Sequence, residues 1–158
     1  AGRLAGRTRH AEGLRALLED YFRIRVSLLE FVGQWLDIPP DCQCRLGESP
    51  STGALGRTAI VGARVWDCQQ KFRLVFGAMP LADYERMLPG GSSLVRLVDW
   101  VRNYIADELS WDLRLVLKKE EVPKSIMGKY GRLGWTTWLQ SKPFDHDADD
   151  LVLRPGAA

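Results

Sequence analysis

The chain has 158 residues, of which 46% are hydrophobic and 27% charged, with a formal net charge of +2. That content is ordinary for a folded protein, and the length supports one proper core, so a single domain spanning residues 1–158 is expected and disorder is excluded. The 22 basic and 20 acidic residues are interspersed, against a nucleic-acid footprint; no apolar run approaches a membrane span, and the opening AGRLAGRTRH is no signal peptide.

Taken in chain order, the first signal is helical. Leu14, Leu17, Leu18, Tyr21 and Phe22 repeat at i, i+3, i+4, i+7 and i+8 and build one apolar stripe. Ile24, Val26 and Leu28 then alternate with Arg23, Arg25 and Ser27 as in a strand. The apolar phase slips at Leu29 and Phe31, which predicts a bulge or bend near Gly33. Phe72, Leu74 and Phe76 alternate with Lys71, Arg73 and Val75, predicting a second strand. A short helix is expected over residues 81–88, stopped by Pro89-Gly90-Gly91.

A longer helical stripe follows on Leu94, Leu97, Val98, Val101, Tyr104 and Ile105, with Ser93 placed to cap it. Leu113, Leu115 and Leu117 alternate with Asp112, Arg114 and Val116. Two more strands are expected over residues 135–139 and 150–153. Residues 37–55 and 118–133 form two long connections, each with Pro and Gly and each longer than a mere connector needs.

The two halves of the chain read alike. Each runs helix, strand, long loop, then an LG-x-T element, at Leu55-Gly56-Arg57-Thr58 and again at Leu133-Gly134-Trp135-Thr136. The expected fold is α+β: a single domain of two pseudo-repeated α-β-loop-β halves, residues 11–77 and 93–154, sharing one core. A chance match of so short an element is the alternative. On the duplication reading, two similar loops project from one rigid body, and tethered sites raise the effective concentration of a second contact. The loops, and not a cleft, are then expected to carry function.

Candidate chemistry is sparse. Cys42, Cys44 and Cys68 are odd in number, and Cys42-x-Cys44 is too tight for the usual zinc spacing, with His10 and His146 far away in sequence. A reducing compartment fits these thiols. Asp145, Asp147 and Asp149 imitate the start of a calcium loop, but Asp150 and Gly156 stand where an EF-hand needs its glycine and closing glutamate. No G-x-S-x-G elbow accompanies His146. Gly128, Gly131 and Gly134 lack the helix amino end that a phosphate loop requires, because a strand is expected next. No catalytic residue, cofactor or metal is therefore expected. Among six tryptophans, Trp135 and Trp138 would face opposite sides of the strand expected there, so one of them would need cover from another domain or chain.

An ordered set of segments carries a resemblance. GRTRHAEGLRALLEDYF, VSLLEFVGQWLDIPP, GARVWDCQQKFRLVFG, LPGG, ELSWDLRLVLKKEEVP, RLGWTTWL and DADDLVLRP together resemble the TssG family (also called ImpH or VasB) of type VI secretion baseplate subunits, over nearly the whole chain. The resemblance is to about the carboxy-terminal half of a typical member, and the missing initiator Met agrees with an absent amino-terminal half.

It implies a cytoplasmic, non-enzymatic assembly protein at a baseplate docked on the inner membrane of a Gram-negative bacterium. Such proteins bind two copies of TssF and recruit trimers of TssK. The resulting wedges surround the VgrG spike, and the sheath polymerises from them. The family attaches TssK through two extended loops, which assigns that role to residues 37–55 and 118–133. Ile38, Pro39, Leu46, Val122, Ile126, Met127 and Tyr130 would be the anchors, together with Trp135 and Trp138. Loop length and symmetry place them; no family motif marks individual contacts. The rivals are a wedge protein of another phage-tail-like particle, a metal-dependent enzyme using residues 145–150, and a nucleic-acid binder using Arg3, Arg7, Arg9 and the lysines of 118–132.

Overall fold

The structure is a computed structural model that describes residues 10–44, 53, 54, 56, 62–106, 108–124, 131–139, 142 and 144–155. It is α+β and divides into two compact units, residues 31–71 forming one and the rest of the chain the other.

The larger unit begins with helix α1 (Ala11–Phe22), where the apolar stripe predicts it. His10 caps it: its Nδ1 accepts the Gly13 N–H at 2.7 Å. Arg23, in the left-handed region at φ 58°, closes the other end by donating its N–H to the Glu19 carbonyl. The Glu19 carboxylate accepts the Val26 N–H at 3.0 Å, so the helix end fixes the start of strand β1 (Val26–Leu29).

Strand β4 (Lys71–Met79) leads into helix α2 (Leu81–Arg86) and then helix α3 (Ser92–Ile105). Ser93 does not cap α3. Gly91 occupies the cap position and Ser93 lies inside the first turn. A Cβ on Gly91 would fall 2.1 Å from the Arg86 carbonyl oxygen, so the tight α2–α3 corner needs a glycine at the cap position.

Strands β5 (Ser110–Leu117) and β6 (Ala148–Leu153) complete a four-stranded sheet in the order β1-β4-β5-β6. Strand β1 pairs antiparallel with β4 (Val26 opposite Phe76), and β5 pairs antiparallel with β6 (Leu113 opposite Leu153), with a register irregularity between Leu115 and Leu117. Each long helix is thus followed by two strands that pair across a long connection. The helices cover one face of the sheet. Leu14, Leu18, Leu97, Val101 and Tyr104 from α1 and α3 form one buried cluster with Phe72, Leu74, Phe76, Leu113, Leu115 and Leu117.

Residues 135–139 are not a strand. Residues 133–136 form a turn instead. The Trp135 and Thr136 amides donate to the Arg132 carbonyl at 3.0 and 2.9 Å. The Arg132 N–H donates to the Thr136 hydroxyl and the Gly134 N–H to the Thr137 hydroxyl. Two threonines that read as strand formers spend their hydroxyls on local backbone, which competes with a ladder.

The smaller unit contains two strands that the alternation pattern did not announce, β2 (Gln34–Asp37) and β3 (Arg64–Asp67), paired antiparallel as a two-stranded ribbon. The chain leaves the larger sheet through Phe31 at φ 59°, beside the bend expected near Gly33. At the ribbon's base the Val32 N–H donates to the Lys71 carbonyl at 2.9 Å, and the Asp67 carboxylate accepts the Gln69 and Gln70 amides. At its far end the Ile38 N–H donates to the Ala63 carbonyl, and a 3₁₀ turn follows over Pro40–Cys42.

Candidate partner-binding surfaces

Ribbon register decides what the smaller unit presents. Trp35 lies opposite Trp66 and Asp37 opposite Arg64, so with alternation these four share one face. The indoles meet edge-on, with centroids 5.2 Å apart and planes at 67°. Both stand in solvent, 62% and 55% exposed. Gly33 makes the arrangement possible, because a Cβ there would fall 1.9 Å from Trp66 Cζ2; the indole lies against bare backbone. Arg64 Nε donates to Asp37 at 2.8 Å beside the pair. Phe31 and Val65 are also exposed in this unit. Rigid aromatic side chains in solvent are typical anchors for another protein.

The second long connection is tied down at both described ends. Its first turn, Lys119–Glu121, is held where the Lys118 amide donates to the Met79 carbonyl, the Lys119 amide to Asp147, and the Leu81 amide to the Glu121 carboxylate at 2.6 Å. Its far end is the turn over residues 133–136. The Tyr84 hydroxyl donates to the Trp135 carbonyl at 3.1 Å, and Trp138 Nε1 donates to Asp150 at 3.1 Å. The Trp138 ring rests against Tyr84, and the Arg132 guanidinium sits 5.8 Å over the Trp135 ring. Burial, aided by the Asp150 charge, pushes the Tyr84 phenol well above its ordinary value.

Several sequence expectations change here. Trp135 and Trp138 do not face opposite sides of a strand: both are half-buried against the core of their own unit. Leu133 and Leu139, which flank them, are the fully exposed apolar residues. Ile38 and Val122 are each only 9% exposed, so within this chain they are already covered, whereas Pro39 is exposed. Leu46, Ile126, Met127 and Tyr130 lie outside the described residues. Trp35 and Trp66 carry no sequence signal as a pair, because 31 positions separate them and only the ribbon register brings them together.

The acidic cluster is occupied with structure. Asp147 accepts the Lys119 amide, Asp150 accepts from Trp138, and Asp149 lies 3.7 Å from Arg114. Among the described residues no group of three or more His, Cys, Asp or Glu side chains is placed to hold a metal. Gly131 and Gly134 take φ of 120° and 79° around a turn, with no helix amino end after them, so the phosphate-loop geometry does not form there. No described helix is long and apolar enough to cross a membrane.

Comparison with known proteins agrees with this architecture. The profile of the family described as "Type VI secretion, TssG" matches residues 1–140. The chain belongs to the TssG family. Its fold is similar to that of a chain in the cryo-electron microscopy structure of the type VI secretion system TssK-TssF-TssG baseplate subcomplex, with a TM-score of 0.68 at 17% identity over 96% of this chain and 63% of that one. It is also similar to a chain in the baseplate complex from the type VI secretion system, with a TM-score of 0.62 at 17% identity over 94% of this chain and 43% of that one. This TssG-family chain therefore spans less than two thirds of the length of either neighbour. No curated protein matches it.

Proposed function

We propose that the chain is a non-enzymatic structural component of the type VI secretion baseplate that bridges TssF and TssK. The observation that carries this reading is family membership over residues 1–140, together with a fold shared with a chain of a TssK-TssF-TssG subcomplex. Its mechanism is binding. The four-stranded sheet and its helices form the rigid part, and residues 37–55 and 118–133 are the two loops that reach TssK. TssF is held elsewhere on the chain, and VgrG and the sheath are met only through these partners, at a cytoplasmic baseplate docked on the inner membrane.

The exposed Trp35–Trp66 pair supports the first loop's assignment, because it stands on the ribbon from which that loop leaves. Pro39, Leu46, Ile126, Met127 and Tyr130 remain the proposed loop anchors. Ile38 and Val122, both buried, set the loop bases in this reading. Trp135 and Trp138 hold the second loop's exit in place, where Leu133 and Leu139 face outward. The paired halves, residues 11–77 and 93–154, are proposed to be a duplication. The order helix, strand, long connection and antiparallel partner strand occurs twice, which supports it.

Deleting either loop from the full chain should lower TssK capture stepwise while TssF capture persists. Unchanged TssK capture after both deletions would contradict the loop assignment.

A further inference from the structure

The second long connection is held at both ends by one short stretch of chain, residues 79–89, which carries α2. At its entry the Lys118 amide donates to the Met79 carbonyl at 3.2 Å, and the Glu121 carboxylate accepts the Leu81 amide at 2.6 Å. At its exit the Tyr84 hydroxyl donates to the Trp135 carbonyl at 3.1 Å, and the Trp138 ring lies 6.0 Å from the Tyr84 ring. Arg132 Nη1 reaches the Pro89 carbonyl at 3.4 Å. Met79, Tyr84, Met87 and Leu88 are buried, so the core fixes this stretch, whereas Glu121, Arg132 and Leu133 stand in solvent.

The first connection is built differently. It leaves β2 and rejoins at β3, and these strands hydrogen-bond to each other, so the ribbon itself sets the spacing of its ends. The second starts after β5 and finishes on the turn over residues 133–136. For these ends α2 takes the place that a partner strand has in the ribbon.

We propose that α2 is a clasp that positions the second connection for TssK, with Glu121 and Tyr84 as its positioning residues at entry and exit. Their common anchor sets the distance and direction between the two ends, so less freedom is left to lose when TssK binds. Both residues act through the connection and not by contact with TssK. The choice of TssK rests on the loop assignment proposed above.

The experiment measures capture of TssK and of TssF by the full chain carrying Glu121→Ala, Glu121→Gln or Tyr84→Phe. Each variant is also made in a chain lacking residues 125–130. Glu121 is exposed, so its variants stay informative if Tyr84→Phe folds poorly. Glu121→Ala and Tyr84→Phe should each lower TssK capture about three- to five-fold and leave TssF capture unchanged. Glu121→Gln keeps an oxygen for the Leu81 amide and should lie between wild type and Glu121→Ala. In the deleted chain neither change should lower TssK capture further, because residues that act through one element are not additive. A deletion that lowers TssK capture, with either Glu121→Ala or Tyr84→Phe leaving it intact, overturns the clasp alone. TssF capture falling in step with TssK capture, or an equal loss in the deleted chain, makes these residues merely structural and also overturns it. A deletion that leaves TssK capture unchanged overturns the assignment of this loop and the clasp with it.

Discussion

Asp112 and Arg73 form a two-pronged ion pair between adjacent central strands, and Asp112 is only 1% exposed. Hydrogen bonding to Asp112 raises the Arg73 pKa, outweighing the opposing effect of burial. Charges so placed have given up much of their hydration, and each depends on the other for compensation. Asp112→Ala should therefore destabilise the fold by about 3 kcal/mol, because it strands Arg73, whereas the double change Arg73→Met with Asp112→Leu should cost far less. Urea denaturation of the three proteins checks this. A double variant as unstable as Asp112→Ala would show that the pair, and not the stranded charge, carries the stability.

Tyr84 joins α2 to the turn over residues 133–136 through its hydroxyl. Tyr84→Phe should cost about 1 kcal/mol near neutral pH. Because burial raises the phenol pKa in the folded state above the ordinary 10.0, the unfolded chain loses this proton first as pH rises. Tyr84's contribution is thus fully present below that ordinary value and is lost as pH climbs through the folded one. Denaturation series for wild type and Tyr84→Phe should converge above about pH 10. A constant gap across that range would contradict the assignment.

His10 caps α1 only while Nδ1 can accept the Gly13 amide. His10→Ala should lower stability by about 1 kcal/mol, and His10→Asn should restore most of it, since Asn is a strong cap. Chemical denaturation distinguishes the two. Equal loss in both variants would mean that His10 acts through packing.

Gly91 permits the α2–α3 corner, since any Cβ there meets the Arg86 carbonyl oxygen at 2.1 Å. Gly91→Ala should destabilise the fold by about 1–3 kcal/mol through forced backbone displacement. A thermal melt within error of wild type would refute that steric reading.

Trp35 and Trp66 should matter more to binding than to folding. Both are exposed, so Trp35→Ala should cost under about 1 kcal/mol of stability, yet lower TssK capture by about ten-fold as interface anchors do. Capture at the wild-type level would remove the ribbon from the interface.

Sequence patterning reveals the elements whose periodicity is set by the core. The stripes around Leu14 and Leu97 and the alternations at Phe72–Phe76 and Leu113–Leu117 read correctly, because burial largely follows the repeat, with Tyr21 at the end of α1 the exposed exception. Patterning fails where partners are distant or local. Strands β2 and β3 are four residues each, and what pairs them, Trp35 with Trp66 and Asp37 with Arg64, lies across a long connection. Residues 135–139 have strand composition, but the hydroxyls of Thr136 and Thr137 favour the turn. Ser93 reads as a cap, but the chain is already helical from Ser92, so Ser93 lies inside the first turn and Gly91 takes the cap position. For the candidate surface, the Trp35–Trp66 pair is legible only in the ribbon register, because its members lie on either side of the 37–55 connection with no local pattern to mark them.

The most direct test of the bridging role is co-expression of the full chain with TssF and TssK, followed by affinity purification and native mass spectrometry. One species containing all three proteins is expected, and TssF and TssK should fail to join when this chain is omitted. TssF and TssK associating equally well without it, or a chain that carries neither partner through purification, would contradict the bridging role.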